Sequence, residues 1–313
     1  MNAPPAPARW SVVVCAYTFE RLRWTADCLH AVAKQPEQPE VFVIVDHNEP
    51  LRRELQARFP ALRVMANEGV PGLGAGRNTG VRHATGQLVA FIDDDALPGP
   101  GWLAALGSAF DDPRVVGAGG HAVPAWEGKR PAWFPEEYLW VVGCSYRGMP
   151  VNGRIRNPIG CNMAFRRDVL VEVGGFGPTL GRLGNRPFGL EETELCVRLL
   201  RAQPGSLIAM VEGATVEHHV PRSRQGPGYF LQRCFYEGAG KALLRELTDG
   251  AALSSERSYA LRTLPRALLR DGLDVVRLRA PHLRLARMAA VTGGLAAAVA
   301  GYAWGRVQGV RPS

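Results

Sequence analysis

A short apolar run, Leu88-Val89-Ala90-Phe91-Ile92, leads directly into three carboxylates, Asp93, Asp94 and Asp95, and Pro98 closes the segment. An apolar run of that length between turn residues reads as a buried strand. The proline then stops further pairing. Three acids at a strand end repel one another and lose hydration, which something positive must offset, most simply a divalent cation. Side chains two apart in an extended chain leave on the same face, so Asp93 and Asp95 can reach one ion. A solvated acidic turn is the plain alternative. Either way the chain needs a fold in which strands are buried and their carboxyl ends are open.

The segments around this run supply such a fold. Trp10 to Tyr17, Val41 to Val45 and Leu62 to Ala66 are rich in β-branched residues and read as strands. Between them, Glu20 to Lys34 carries Leu22, Ala26, Leu29 and Ala33 at helical spacing, and Leu51 to Phe59 reads as a helix stopped by Pro60. Strands alternating with helices predict a parallel α/β sheet with right-handed crossovers. Ligands of such sheets sit at the carboxyl ends of the strands. Tyr17-Thr18, Asp46-His47-Asn48 and Asp93 to Asp95 all fall at those ends.

The glycine-rich stretch Gly69 to Gly80, GVPGLGAGRNTG, resembles a dinucleotide fingerprint but lacks its spacing, because Arg77 and Thr79 stand where glycine is needed. It predicts a turn opening a helix over Arg77 to Ala84, whose amides and Arg77 face an anion. Asn78 is placed to hold the loop to a neighbouring strand; a merely flexible turn is the alternative. Helices are predicted around Trp102 to Phe110 and over Arg167 to Glu172, and strands over Val115 to Gly120 and Ile159 to Phe165. The aromatics Trp126, Trp133, Phe134, Tyr138, Trp140 and Tyr146 fit either a wall for a sugar or lipid or simple packing of an irregular segment.

Glu191 and Glu192 open a helix carrying Leu195 and Leu199 on its buried face. Acids there suit the helix dipole, and one that faces a pocket is also placed to be a general base. Val211 to His219 ends a strand in paired histidines, which beside an acid-rich site are structural or metal ligands in equal measure. Arg222 and Arg224, followed by Gly226-Pro227-Gly228, read as a cationic loop able to close on a diphosphate.

Beyond Tyr229 the pattern is helical. Arg257 to Arg287 reads as a basic amphipathic helix, and Met288 to Gly305 carries no charge and approaches the length that spans a bilayer. It is mostly Ala and Gly, which insert weakly. A peripheral membrane contact is expected, with a packed helical subdomain or a homodimer contact as the alternative.

A chain of 313 residues, 46% apolar, is generous for one domain. The net charge of +8 comes from arginine, with only Lys34, Lys129 and Lys241 as lysines. Such arginine, alanine and glycine enrichment follows genome composition, so no nucleic-acid partner is inferred. Six cysteines without a C-x-x-C pair predict free thiols in a reducing compartment. The Pro- and Ala-rich leader over residues 1–9 lacks a secretory pattern, and the chain is expected in the cytoplasm, at the inner face of the cell membrane if it docks there.

In order, CAY, VIVDHN, PGLGAGRNTG, FIDDDALPGPGWL, GCNMAFRRDVLVEVGGF, FGLEETEL and VEHHVPRSR resemble the family 2 glycosyltransferases over roughly residues 11–235. The resemblance implies the GT-A fold, a Rossmann-like mixed α/β sheet flanked by helices over residues 10–235, with a helical C-terminal extension over 236–313. It implies an inverting transfer from a nucleotide-diphosphate sugar, UDP or dTDP, to a hydroxyl acceptor on a glycan, lipid or natural product, with Mn2+ or Mg2+. It places Ala16, Tyr17, Asp46, Arg77, Asn78, Asp93, Asp94, Arg222 and Arg224 around the donor. Asp95, Asp93 and His218 (or His219) would hold the metal, and Glu192, with Glu191 as fallback, would be the base. Departures stand at Ala16, which removes a hydroxyl, at His47, and at Glu192, where the family more often has the shorter Asp. A polyprenyl-phosphate acceptor and a catalytically silent nucleotide-binding scaffold are the competing readings.

Overall fold

The computed structural model describes residues 9–177, 189–247 and 258–308. Residues 1–8 of the leader, Phe188 and Arg257 lie outside the described residues. The chain divides into two compact units, one built from residues up to Ala122 with Val151–Pro178 and Glu191–Glu217, the other from Val123–Pro150, Thr179–Leu190 and His218–Ser313.

The first unit is organised by a sheet. Strands β1 (Trp10–Ala16), β2 (Glu40–Val45), β3 (Arg63–Ala66) and β4 (Leu88–Asp93) pair in parallel in the order β3-β2-β1-β4. Helices α1 (Leu22–Ala33), α2 (Glu49–Arg58) and α3 (Leu73–His83) make the crossovers. Val12, Val14, Val43, Ile44, Val89 and Ala90 are fully buried. This is why these strands read as continuous apolar runs: both sheet faces are covered. The register sets Cys15 beside Asp93, so the β1 and β4 tips lie side by side.

Past β4 the sheet is mixed, as the family resemblance implied and the strand–helix alternation alone did not. Strand β8 (Asn162–Arg166) runs antiparallel to β4, and β6 (Val115–Trp126) antiparallel to β8. The order continues through β9 (Leu207–Val220) to the short β5 (Ala96–Pro98), with β7 (Gly153–Ile155) on β9. Antiparallel pairing needs no helical crossover, which frees the segments between these strands for other uses. Helices α4 (Trp102–Ser108), α5 (Arg167–Glu172) and α6 (Glu191–Ala202) complete this unit.

The glycine-rich stretch is helix where a loop was expected. Helix α3 starts at Leu73, so Arg77 stands in its second turn rather than at its opening. The glycines make a close approach possible. A Cβ on Gly76 would meet Cys15 Sγ at 3.2 Å, and one on Gly80 would meet Val13 Cγ1 at 2.5 Å. Helical glycine costs about 1 kcal/mol relative to alanine, and here close contact of α3 with β1 offsets it. Gly80→Ala is expected to lower stability by about 1–3 kcal/mol through overpacking, read as a lower urea midpoint. Gly213→Ala, whose added Cβ meets only Ala105 Cβ at an ordinary 3.6 Å, is the control and should leave the midpoint nearly unchanged.

The second unit is helical, with α7 (Pro227–Leu247), a π-helical turn at Tyr259–Thr263, α8 (Leu264–Val276) and α9 (Pro281–Gln308). Much of the aromatic segment is its core. Phe134 and Tyr138 are buried with Phe230 and Val291, and the Tyr138 hydroxyl donates to the Val291 carbonyl at 3.0 Å. Packing, not a ligand wall, therefore takes up these two rings. Glu137 and Asp271 are also fully buried; Arg270 lies 3.0 Å from Glu137, and Arg284 3.2 Å from Asp271. Buried carboxylates require such partners. All six cysteines are free thiols, as their spacing implied.

Candidate active site

Arg77 is the centre of the site. It is among the largest fully buried side chains of the protein. Its Nη1 donates to Glu191 Oε2 at 3.1 Å and to Glu192 Oε1 at 3.5 Å. Its Nη2 donates to Asp93 Oδ1 at 3.3 Å and to the Gly160 carbonyl at 3.1 Å. The guanidinium also lies over the Phe176 ring, 5.2 Å from its centroid. One planar fork thus joins the acidic tip of β4 to the acidic first turn of α6, which the sequence separates by about a hundred residues. Burial disfavours the charge on Arg77, but Asp93, Glu191 and Glu192 hold it well above its ordinary pKa. The anions that Arg77 meets in this structure are the protein's own carboxylates, Asp93, Glu191 and Glu192.

Removing that guanidinium strands a buried acid. Arg77→Met is expected to destabilise the protein by about 3–5 kcal/mol, measured as a drop in thermal midpoint. Arg77→Lys should recover little of it, because a single ammonium cannot reproduce the fork.

The two glutamates differ. Glu191 is buried, whereas the Glu192 side chain keeps 16% of its surface exposed. A Cβ on Gly160 would stand 2.0 Å from Glu192 Oε1, so glycine at 160 leaves room for that carboxylate. Glu192 is therefore the more accessible of the pair, while Glu191 is buried against Arg77.

The aspartates converge, though not through an extended strand: β4 ends at Asp93, and Asp94 and Asp95 lie in the turn after it. Asp93 and Asp95 each offer a carboxylate oxygen within 4.8 Å of the other. Asp94 points elsewhere, to Arg21 Nη1 at 2.7 Å, and Arg21 also lies 3.0 Å from Asp95 Oδ2. Burial pushes the Asp94 carboxyl up to about 7, although Arg21 favours its ionised form. Asp94 Oδ2 is buried without a hydrogen-bond partner. Hard carboxylate oxygens converging in this way, with negative charge left only partly compensated, fit a divalent cation.

Arg21 escaped sequence reasoning, since a lone arginine opening a helix carries no signal. Asn67 did too: its Nδ2 donates to Asp46 Oδ1 at 2.7 Å, while Gly72 N donates to Asp46 Oδ2 at 2.9 Å. Asp46 thus braces the entrance to α3 from the tip of β2. Asn78 pairs with the backbone of Phe176, donating to its carbonyl and accepting from its amide, each at 2.8 Å, so it ties α3 to the segment after α5 rather than to a strand. Ala16 is buried and Tyr17 is half exposed, with Arg21 stacked 5.2 Å from its ring centroid.

In the second unit, His218 is buried near the end of β9 with its Nδ1 3.7 Å from Cys144 Sγ. Gly143, in the left-handed conformation, leaves room for that ring, since a Cβ there would meet His218 Cε1 at 2.9 Å. Arg222 and Arg224 form a short 3-10 turn after β9. The Gly226-Pro227-Gly228 segment, expected as a loop, instead leads into α7, which begins at Pro227.

Comparison with known proteins agrees with this arrangement. The description Glycosyl transferase family 2 matches residues 11–174. The glucosyl-dolichyl phosphate glucuronosyltransferase of Haloferax volcanii is 32% identical over 84% of this chain and 85% of its own length. The succinoglycan biosynthesis protein ExoM of Rhizobium meliloti is 29% identical over 80% of this chain and 76% of its own. A mannosyltransferase from Pyrobaculum calidifontis, solved with GDP-Man and Mn2+, superposes with a TM-score of 0.60 at 18% identity, covering 96% of this chain and 88% of that one. That likeness shows the fold, a GT-A sheet with flanking helices and a C-terminal helix. By its matched sequence over more than half its length, this chain is a glycosyltransferase and belongs to family 2.

Proposed function

We propose that the protein is an inverting, metal-dependent enzyme that moves a sugar from UDP or dTDP to a hydroxyl of a lipid-linked acceptor by a single displacement. The observation that carries this reading is Arg77, whose one guanidinium ties the Asp93 tip of β4 to the Glu191-Glu192 turn of α6. A cation site and a base are thereby fixed at a distance that hydrogen bonds set.

Asp93 and Asp95 would hold Mn2+ or Mg2+, with His218 the further ligand that the family resemblance implies. Such a cation, when bound, neutralises charge on the leaving diphosphate. Glu192 takes the proton of the acceptor hydroxyl, whose oxygen attacks the anomeric carbon as the bond to the diphosphate oxygen breaks, and the stereocentre inverts. Arg21 holds Asp94 and Asp95 in place. Asp46 and Tyr17 border the nucleoside, with Asp46 accepting from a pyrimidine N–H. Arg222 and Arg224 supply positive charge to the diphosphate. The transferase domain spans residues 10–235, and the helices from 236 onward extend it.

The acceptor class draws support from the Haloferax relative, whose name describes transfer to a glucosyl-dolichyl phosphate. An acceptor of that kind, a sugar hydroxyl on a polyprenyl phosphate, places the enzyme in peripheral contact with the inner face of the cell membrane. The test is a calorimetric screen of UDP-, dTDP- and GDP-sugars with and without Mn2+ or Mg2+. Metal-requiring binding that favours UDP or dTDP is expected; absence of nucleotide binding with either metal would overturn the reading in favour of a silent scaffold.

A further inference from the structure

Helix α8 of the second unit, together with the π-helical turn before it, exposes an apolar stripe that nothing in the described structure covers. Leu261, Leu269, Leu273 and Val276 recur at three- to four-residue helical spacing or its multiples, all exposed, with Val276 at 81%. Pro265 fills the remaining place on the stripe and is exposed as well. The opposite face of α8, at Leu264, Ala267 and Asp271, is buried. At the turn into α9, Leu278 and Ala280 adopt the left-handed conformation, with φ of 57° and 48°. That conformation disfavours residues with a Cβ, and here Leu278 stands 81% exposed at the turn. A tip of this kind costs folding free energy and gains nothing from water.

The charges around the stripe have one sign. Arg262, Arg266, Arg277 and Arg279 are exposed, and among the described residues only Arg279 has an acidic neighbour, Asp274 at 4.0 Å. The acids of α8 are engaged with other arginines: Asp271 with Arg270 and Arg284, and Asp274 with Arg284 at 3.1 Å. The exposed surface of this hairpin therefore combines an apolar stripe with exposed arginines beside it. A second copy docking by the same face would set arginine against arginine with no acid to meet it.

Helix α9 is suited to a different task. Its length and hydropathy over Pro281–Val307 would permit a membrane span. Its packing argues otherwise. A Cβ on Gly238 of α7 would stand 1.9 Å from the Ala298 carbonyl, and one on Gly301 of α9 1.9 Å from the Phe235 carbonyl, so the two helices are in backbone contact. Beside that contact α7 carries the Glu237–Lys241 pair at 3.0 Å and Glu246, paired to Arg306 at 3.3 Å. Hydrocarbon around those charges would be costly. α9 packs on α7 along one side while Leu285, Leu295 and Val299 stay exposed, and of the two helices it is α8 whose exposed stripe is bordered by exposed arginines.

We infer that this face, Leu261 to Leu278 with its flanking arginines, docks on the anionic surface of a lipid leaflet, its apolar stripe entering the headgroup boundary and its arginines meeting lipid phosphates. Interfacial helices combine such a stripe with such flanks, and arginine near an anionic leaflet adds attraction that salt weakens. The inference rests on the membrane-side reading above and adds to it the surface and the lipid chemistry.

The test is flotation of the full chain with phosphatidylcholine vesicles and with vesicles containing about a third phosphatidylglycerol, without donor or acceptor. Flotation with the anionic vesicles, and at least about tenfold less with neutral ones, is expected. Leu269→Glu with Val276→Glu, and separately Arg262→Gln with Arg266→Gln and Arg277→Gln, should each reduce it by about tenfold or more. UDP-sugar binding measured on the same variants should stay unchanged, which separates failure of this inference from failure of the donor-site reading. Absence of wild-type flotation, variants that float as well as wild type, or a dimer that Leu269→Glu dissociates would each overturn the inference.

Discussion

Asp95→Ala is expected to abolish the enhancement of nucleotide-sugar binding by Mn2+ while leaving the fold intact. The aspartate offers a hard oxygen within 4.8 Å of one on Asp93. Outer-sphere changes around metal sites already cost about 10–100-fold in affinity, so loss of a direct ligand should weaken Mn2+ binding by at least about 100-fold. The appropriate readout is calorimetry of Mn2+ with and without UDP, together with the electron paramagnetic resonance signal of free Mn2+. Neither depends on turnover. Arg21 lies 3.0 Å from Asp95 and 2.7 Å from Asp94. In the variant it keeps Asp94 as a partner, so the thermal midpoint should fall only modestly. Unchanged Mn2+ affinity in Asp95→Ala would remove Asp95 from the ligand set.

Glu192→Gln should lower kcat by about 10²–10⁴-fold, the range for loss of a general base, with the donor dissociation constant almost unchanged. Glutamine preserves the shape and the hydrogen bond from Arg77, 3.5 Å away in the native protein, but cannot take a proton. Glu191→Gln separates the two acids. Glu191 is buried against Arg77 at 3.1 Å, so its variant should lose stability first and activity second. Reversal of that pattern, with Glu191→Gln folded and inactive and Glu192→Gln nearly as active as wild type, would transfer the base role to Glu191. Gly160→Ala offers an independent check. Its Cβ would fall 2.0 Å from Glu192 Oε1 and must push that carboxylate aside, so kcat should fall with little change in donor binding.

Much of the first unit was legible in the residue order. Strands β1, β2 and β4 announce themselves because a sheet covered on both faces needs unbroken apolar runs, as at Val41 to Val45 and Leu88 to Ile92. The acidic pairs at 93 and 95 and at 191 and 192 were legible through their place in the ordered family motifs, since a solvated turn or a helix dipole accounts for such acids taken singly. The reversal of β8 was not legible, because an apolar strand such as Asn162–Arg166 looks the same in either direction. Helix α3 was cut short in prediction because its glycines weigh against helix locally; only the side chains of Val13 and Cys15 across the contact show why Gly80 and Gly76 belong there.

The sequence by itself determined the chemistry: two acidic pairs at element ends, an apolar strand to carry one of them, and an ordered set of motifs that names the family. Only the tertiary structure decided the partners. Arg77 reads locally as an anion binder at a helix start, and it became the buried tie among Asp93, Glu191 and Glu192 because α3, β4 and α6 converge there. The aromatics Phe134 and Tyr138 read equally as ligand wall or core, and packing against Phe230 and Val291 made them core. Residue type and spacing set what a side chain can do. Which charge or ring it meets depends on contacts between segments far apart in the chain, and those exist only once the chain has folded.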